Sequence, residues 1–192
     1  ERENTFTLDS PILLDEAKGT DEPTLISVVT QYPLSQVSQI QAVTLPNESS
    51  TQALERIAQS AVDAVQNGSR LIVLNDLDAF TGENGWVDPI LVAGIVDRAL
   101  RLSFMENSPA TAPTPIPLGD NGKIDLGLVA SNMKVNLRRQ TGVILRSGAI
   151  RNLHDLIMCI GMGADAVVPH LIFEEAINVV NLSSEEQMTR LK

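Results

Sequence analysis

The chain has 192 residues, an apolar share of 43%, a formal net charge of −10 and a single cysteine, Cys159. The length admits one domain with a full core but falls short of the roughly 250 residues of a complete (β/α)8 barrel, and the apolar share argues against wholesale disorder. The acidic balance, with no basic run to offset it, argues against a nucleic-acid surface. No run approaches the roughly 18 apolar residues of a membrane span, and no basic-then-apolar leader opens the chain. One cysteine cannot form an internal disulfide and fits a reducing, cytoplasmic compartment. The start at Glu1, without an initiator methionine, suggests a piece of a longer polypeptide.

Residues 1–22 are expected to form an irregular lead-in, with Leu8, Ile12 and Leu13 as a short apolar anchor. Residues 24–30 (TLISVVT) are short and β-branched, which predicts the first strand. Tyr32-Pro33-Leu34 ends it, and a loop is expected as far as Pro46. Asn47, Ser49, Ser50 and Thr51 offer capping oxygens for a helix of roughly 15 residues. In it Leu54, Ile57, Ala58, Ala61, Val62 and Val65 make one apolar stripe, and Asn67-Gly68 stops it. Residues 70–74 (RLIVL) read as a second, buried strand with Asn75 and Asp76 at its carboxyl end. A loop carrying the only tryptophan, Trp86, leads to Asp88-Pro89, a cap followed by proline in the first turn. Ile90, Leu91, Ala93, Val96, Leu100 and Leu102 make the second helix so apolar that burial on more than one side is expected. Residues 107–135 form a proline-rich insertion with Pro109, Pro113, Pro115 and Pro117, expected as a surface excursion. Within it, residues 126–135 fit a strand or a helix.

Residues 141–170 (TGVILRSGAIRNLHDLIMCIGMGADAVVPH) predict a βαβ unit. Val143, Ile144 and Leu145 are continuous and branched, as in a strand buried on both faces. Ser147-Gly148 breaks the strand, and Asn152 caps a helix with Asp155 in its first turn. Leu153, Leu156, Ile157 and Ile160 fall on one face at helical spacing. Gly161 and Gly163 end the helix, and residues 164–168 start another buried strand. Residues 171–180 predict a short helix, and residues 181–192 a polar, mobile tail. The alternation predicts an α/β fold with a mostly parallel sheet and helical crossovers. Four strands are too few to close a barrel, so a partial or degenerate (β/α) barrel is expected, in one domain spanning residues 1–192.

The residues that could carry chemistry are few. The unit at residues 141–170 resembles the phosphate-gripping part of flavin- and nucleotide-binding (β/α)8 barrels, through Ser147-Gly148-Ala149-Ile150-Arg151 and Gly163-Ala164-Asp165-Ala166-Val167. It departs from them in two places. Ala149 stands where a second glycine would let backbone approach a phosphate, and Pro169, before His170, has no N–H to offer an anion. Ser147, Gly148 and Arg151 are therefore the candidates for a phosphate or cofactor site, against the reading of a plain strand-to-helix turn, which the two departures favour. Asn75, Asp76 and Asp78 could hold a metal or act as a base, but they have no partner at identifiable spacing, and a solvated capping loop is the expectation. His154 and His170 show no metal-ligand spacing and are expected to be structural. Cys159 reads as a buried, inert thiol. No catalytic residue, resident cofactor or metal ligand is predicted.

Three segments together resemble the central domain of the large (alpha) subunit of glutamate synthase. They are Leu8 to Leu13, the block from Ala53 through Leu74-Asn75-Asp76, and the block from Val143 through Ser147-Gly148 to Val168-Pro169-His170-Leu171-Ile172-Phe173-Glu174, where the family usually has tyrosine in place of His170. The resemblance implies a multi-domain oxidoreductase and amidotransferase of glutamate biosynthesis and ammonia assimilation. Glutamine is hydrolysed in an amidotransferase domain, and ammonia passes through a tunnel to an FMN-binding barrel, where 2-oxoglutarate becomes glutamate. It implies that FMN and an iron–sulfur cluster lie elsewhere in the parent. The central domain would be a cofactor-free, TIM-barrel-like connector, with the amidotransferase and FMN-binding domains as partners in the same polypeptide. A small subunit or ferredoxin would meet the parent rather than this chain. The alternatives are a phosphate-binding (β/α) enzyme using the Ser147-Gly148 turn, and a stand-alone regulatory module.

Overall fold

The computed structural model describes residues 8–15, 23–80, 83–104 and 136–177. The readings of the insertion at residues 107–135 and of the polar tail at residues 181–192 lie outside them. Four parallel strands form one sheet: β1 (Val37–Gln41), β3 (Leu71–Asn75), β5 (Gly142–Arg146) and β6 (Ala166–Val168), adjacent in that order. A two-stranded antiparallel ladder of β2 (Val43–Thr44) and β4 (Gly85–Trp86) stands beside it. The crossovers are α2 (Ser50–Gln66), α3 (Pro89–Leu102) and α4 (Leu153–Gly161), and α5 (His170–Ile177) follows β6. This is the α/β architecture expected, an open parallel sheet with helical crossovers.

The sheet is buried on both faces, which is why its strands are apolar without alternation. Ile72, Leu74, Val143, Leu145 and Val167 face α2, α3 and α4 in the larger core, together with Ile57, Val62, Val96 and Leu100. Leu71, Val73, Ile144, Ala166 and Val168 point the other way, onto Leu13 and Val28. Val28 belongs to α1 (Leu25–Val29), the segment that strand propensity misassigned. Here local hydrogen bonding overrides the β-branched composition. Thr24 Oγ1 accepts from the Ser27 N–H at 3.0 Å and the Thr24 N–H donates to Ser27 Oγ at 2.9 Å, a reciprocal capping box. Burial of Val28 on the sheet completes the turn of helix. The loop expected before Pro46 likewise contains β1 and β2. In β1 only Ile40 is buried, because the strand lies at the sheet edge, and its polar Ser38, Gln39 and Gln41 hid it from a reading based on apolar runs.

The lead-in is held by the opposite edge. The Val167 N–H donates to Pro11 O at 2.8 Å and the Leu13 N–H to Val167 O at 2.9 Å, so residues 11–13 run alongside β6 and bury Leu13 completely. The helix ends follow the sequence closely. Ser49 caps α2, Gly68 follows it at φ +103°, and Asp88 caps α3 with Pro89 in its first turn. One burial expectation fails. On α4, Leu153 and Ile157 are 69% and 56% exposed, while Cys159 is fully buried with Leu156 and Ile160 partly packed beside it. The helix is apolar almost all round, so periodicity could not fix which side turns inward. On α3, Leu91 and Leu102 are exposed, but Ile90, Ile95 and Ala99 pack beside the buried Val92, Ala93, Val96 and Leu100, and the helix meets α2, α4 and the 3-10 turn Leu137–Gln140, so it is covered on more than one side.

The amino end of the sheet is locked by Arg138, on the 3-10 turn Leu137–Gln140. Its guanidinium donates to Asp97 Oδ1 of α3 at 2.8 Å, to Asp165 Oδ1 at 2.9 Å, and to the carbonyls of Thr141 (2.9 Å) and Gly163 (2.8 Å). Burial alone would lower the Arg138 pKa, but Asp165 and Asp97 reverse this and raise it. Asp165 also accepts from the Val143 N–H at 2.7 Å through its second oxygen. Gly163 sits at φ +123°, and a Cβ there would lie 2.4 Å from that of Asp97. The Gly163-Ala164-Asp165 stretch thus serves the joint between α3, α4 and β5. Arg138→Ala should lower stability by about 1–3 kcal/mol in urea unfolding, because it leaves the carbonyls of Thr141 and Gly163 without that donor and Asp97 with Arg101 alone. Arg101→Ala, which removes an exposed i,i+4 partner of the same Asp97, should hardly move the midpoint.

Candidate functional site

The carboxyl end of the sheet brings three distant residues together. Asp76 follows β3, Ser147 and Gly148 follow β5, and His170 opens α5. Each strand has stopped, so its next residue is free to turn inward over the strand ends. Asp76 Oδ2 accepts from the Ser147 hydroxyl at 2.5 Å, Oδ1 accepts from the Gly148 N–H at 3.1 Å, and His170 Nε2 lies 3.2 Å from the same Oδ1. Ser147, His170 and Asp76 are 0%, 5% and 6% exposed. Burial pushes the Asp76 carboxyl up, but the hydrogen bonds from His170, Ser147 and Gly148 outweigh it and hold it below the usual carboxylate range. An ionised carboxylate only accepts, so His170 Nε2 carries the proton facing it. His170 Nδ1 is buried and has no partner.

In the turn after β5, the first three N–H groups all have acceptors within the chain. The Ser147 N–H donates to Val168 O at 3.0 Å, the Gly148 N–H to Asp76, and the Ala149 N–H to Ser147 Oγ at 3.1 Å. The glycine at position 148 has a packing reason: a Cβ there would lie 2.6 Å from Leu171 Cδ1. Arg151, the third candidate, is exposed, with its N–H donated to Asp155 Oδ2 at 3.1 Å, and it takes no part in the cluster. The expectation of a solvated loop at Asn75, Asp76 and Asp78 is corrected at its centre, since Asp76 is buried. Asn75 Oδ1 accepts from the Leu77 N–H and from Arg146, whose guanidinium also clamps Asp15. Asp78 lies on the 3-10 turn Leu77–Phe80. His154 is exposed in the first turn of α4.

Sequence reasoning noticed Asp76, Ser147, Gly148 and His170 singly but could not join them. The separations are 71, 72 and 94 residues, and no local motif reports a contact at that range. Cys159 is the inert thiol expected: burial first, then Asp88 and Asp155, push it up to about 12. Among the described residues, no group of three or more His, Cys, Asp or Glu side chains is placed to hold a metal ion, and no helix is long and apolar enough to cross a membrane.

An open parallel sheet with helical crossovers, whose strand-end turn is filled by one of its own carboxylates, defines a degenerate (β/α)-barrel-type domain. The chain belongs to the glutamate synthase central domain family, whose model matches residues 1–108 and 120–191. A search among curated proteins found no match.

Two measurements probe this cluster. Because the folded Asp76 carboxyl titrates below its ordinary 3.8, its ionised form stabilises the fold above that pH, and the contribution disappears as pH falls through the lower folded value. Asp76→Asn should cost about 1–3 kcal/mol at neutral pH and flatten that acid limb in unfolding curves. Cys159 should react with a thiol reagent at pH 8 only as fast as the chain opens. Rapid labelling of the native chain would contradict its burial.

Proposed function

We propose that this chain is the connecting domain of a glutamate synthase. It joins a glutamine amidotransferase domain to an FMN-binding synthase domain and helps wall the path along which ammonia passes to 2-oxoglutarate. In this reading it carries no catalytic residue, metal or cofactor, and FMN and the iron–sulfur cluster belong to the rest of a cytoplasmic parent polypeptide. The organisation proposed is one domain with an irregular lead-in over residues 1–22, a proline-rich insertion over residues 107–135 and a polar tail. The observation that carries the reading is the family match across residues 1–108 and 120–191. The turn after β5 supports it chemically, because a phosphate needs N–H donors and those of Ser147, Gly148 and Ala149 already have internal acceptors.

The competing role, a phosphate-binding enzyme built on Ser147, Gly148 and Arg151, makes a different forecast for the chain alone. The connecting role expects no flavin absorption after mixing with FMN and gel filtration, and no heat on titration with FMN or inorganic phosphate. Stoichiometric binding of either would overturn it. In the full-length parent, Arg138→Ala should loosen the domain and uncouple the two half-reactions. Glutamine hydrolysed would exceed 2-oxoglutarate consumed, with the difference released as free ammonia. An unchanged ratio in a variant whose urea midpoint has fallen would count against the tunnel role.

A further inference from the structure

We infer that Asp76, Ser147, Gly148 and His170 form a complete binding pocket for a small carboxylate, and that the side chain of Asp76 is its permanent, covalently tethered occupant. Three donors from two other segments converge on one carboxylate: the Ser147 hydroxyl, the Gly148 N–H and His170 Nε2. All three are directed at oxygens, and the residues that supply them and receive them are buried. Ser147 Oγ is itself polarised by the N–H of Ala149, which donates to it. Donors in this arrangement are the features that recognise a free monocarboxylate, since hydrogen bonds to a charged acceptor are the stronger class.

The space that a shortened Asp76 vacates limits the ligand, and its surroundings are close-packed. Leu171 lies over Gly148 so closely that even an added Cβ would meet it at 2.6 Å, and the His170 ring edge stands 3.2 Å from the same point. Formate and acetate match what leaves when Asp76 is shortened: the carboxylate group, or the carboxylate with its methylene. Removing the tethered anion orphans three buried donors, a costly state that a free anion of the same shape relieves. The pocket's chemistry stands apart from the connecting role proposed above, because it needs only the geometry around Asp76.

The test uses the 192-residue chain with Asp76→Gly and Asp76→Ala, melted in sodium formate or acetate and in sodium chloride at equal ionic strength. Tm in either variant should rise by about 5–10 °C as formate or acetate reaches ~100 times its dissociation constant. Wild type, whose pocket is occupied, should show no difference between the salts. Adding Ser147→Ala to Asp76→Gly should weaken the response at least tenfold in concentration. If a variant does not fold in chloride, recovery of native Trp86 fluorescence on refolding in formate is the readout. Equal melting of both variants in all salts, or no recovery with either carboxylate, overturns the inference. A formate response of the same size in wild type does so too.

Discussion

The contact on which the carboxyl end of this protein depends is the carboxylate of Asp76. It is bound from three sides by groups that the chain supplies 71, 72 and 94 residues further on. A parallel sheet aligns strands through backbone ladders but leaves the residues beyond their ends without fixed neighbours. Here one anion fixes the end of β3 against the turn after β5 and the start of α5. Its negative charge is tolerated in a buried place because each oxygen accepts at least one hydrogen bond. The cost is that the same donors cannot serve a ligand.

The amino end is fixed by the reverse arrangement. There a partly buried cation, Arg138, gathers two carboxylates and two carbonyls from α3, the loop before β5 and the segment leading into β6. The two hubs bracket the sheet, and the apolar strands between them are pressed from one face by α2, α3 and α4 and from the other by α1 and Leu13. A closed barrel would fill that second face with side chains of its own remaining strands. This sheet stays open and uses a short helix and a lead-in segment instead. The Gly163-Ala164-Asp165 stretch, so like a phosphate-site motif in sequence, is spent on that amino-end lock.

The connecting role proposed above asks for a well-packed scaffold more than for chemistry, and these features support it. Its strand-end turn is closed by an internal carboxylate, its one thiol is buried and held protonated, and its glycines at positions 148 and 163 make room for Leu171 and Asp97. Exposed apolar residues occur on both sides of the sheet, among them Leu91 on α3, Leu153 and Ile157 on α4, and Ile26 on α1.

The sequence by itself determined the α/β class, the central strands, and the caps at Ser49, Asp88 and Asn152 with the stop at Gly68. These are local signals: continuous branched runs, side-chain oxygens ahead of a helix, and a glycine where φ turns positive. It also carried enough resemblance to point to the glutamate synthase central domain. Tertiary structure decided what local signals leave degenerate. Within residues 24–30, Leu25–Val29 became a helix because a capping box and burial of Val28 outweighed strand propensity. Residues 37–41 became an edge strand because β3 offered a ladder to a polar segment. Helix α4 chose Cys159 over Leu153 for its inward side because nearly every side of it was apolar. The Asp76 cluster was equally beyond the sequence, since a hydrogen bond between residues far apart in the chain exists only once the sheet has brought the strand ends side by side.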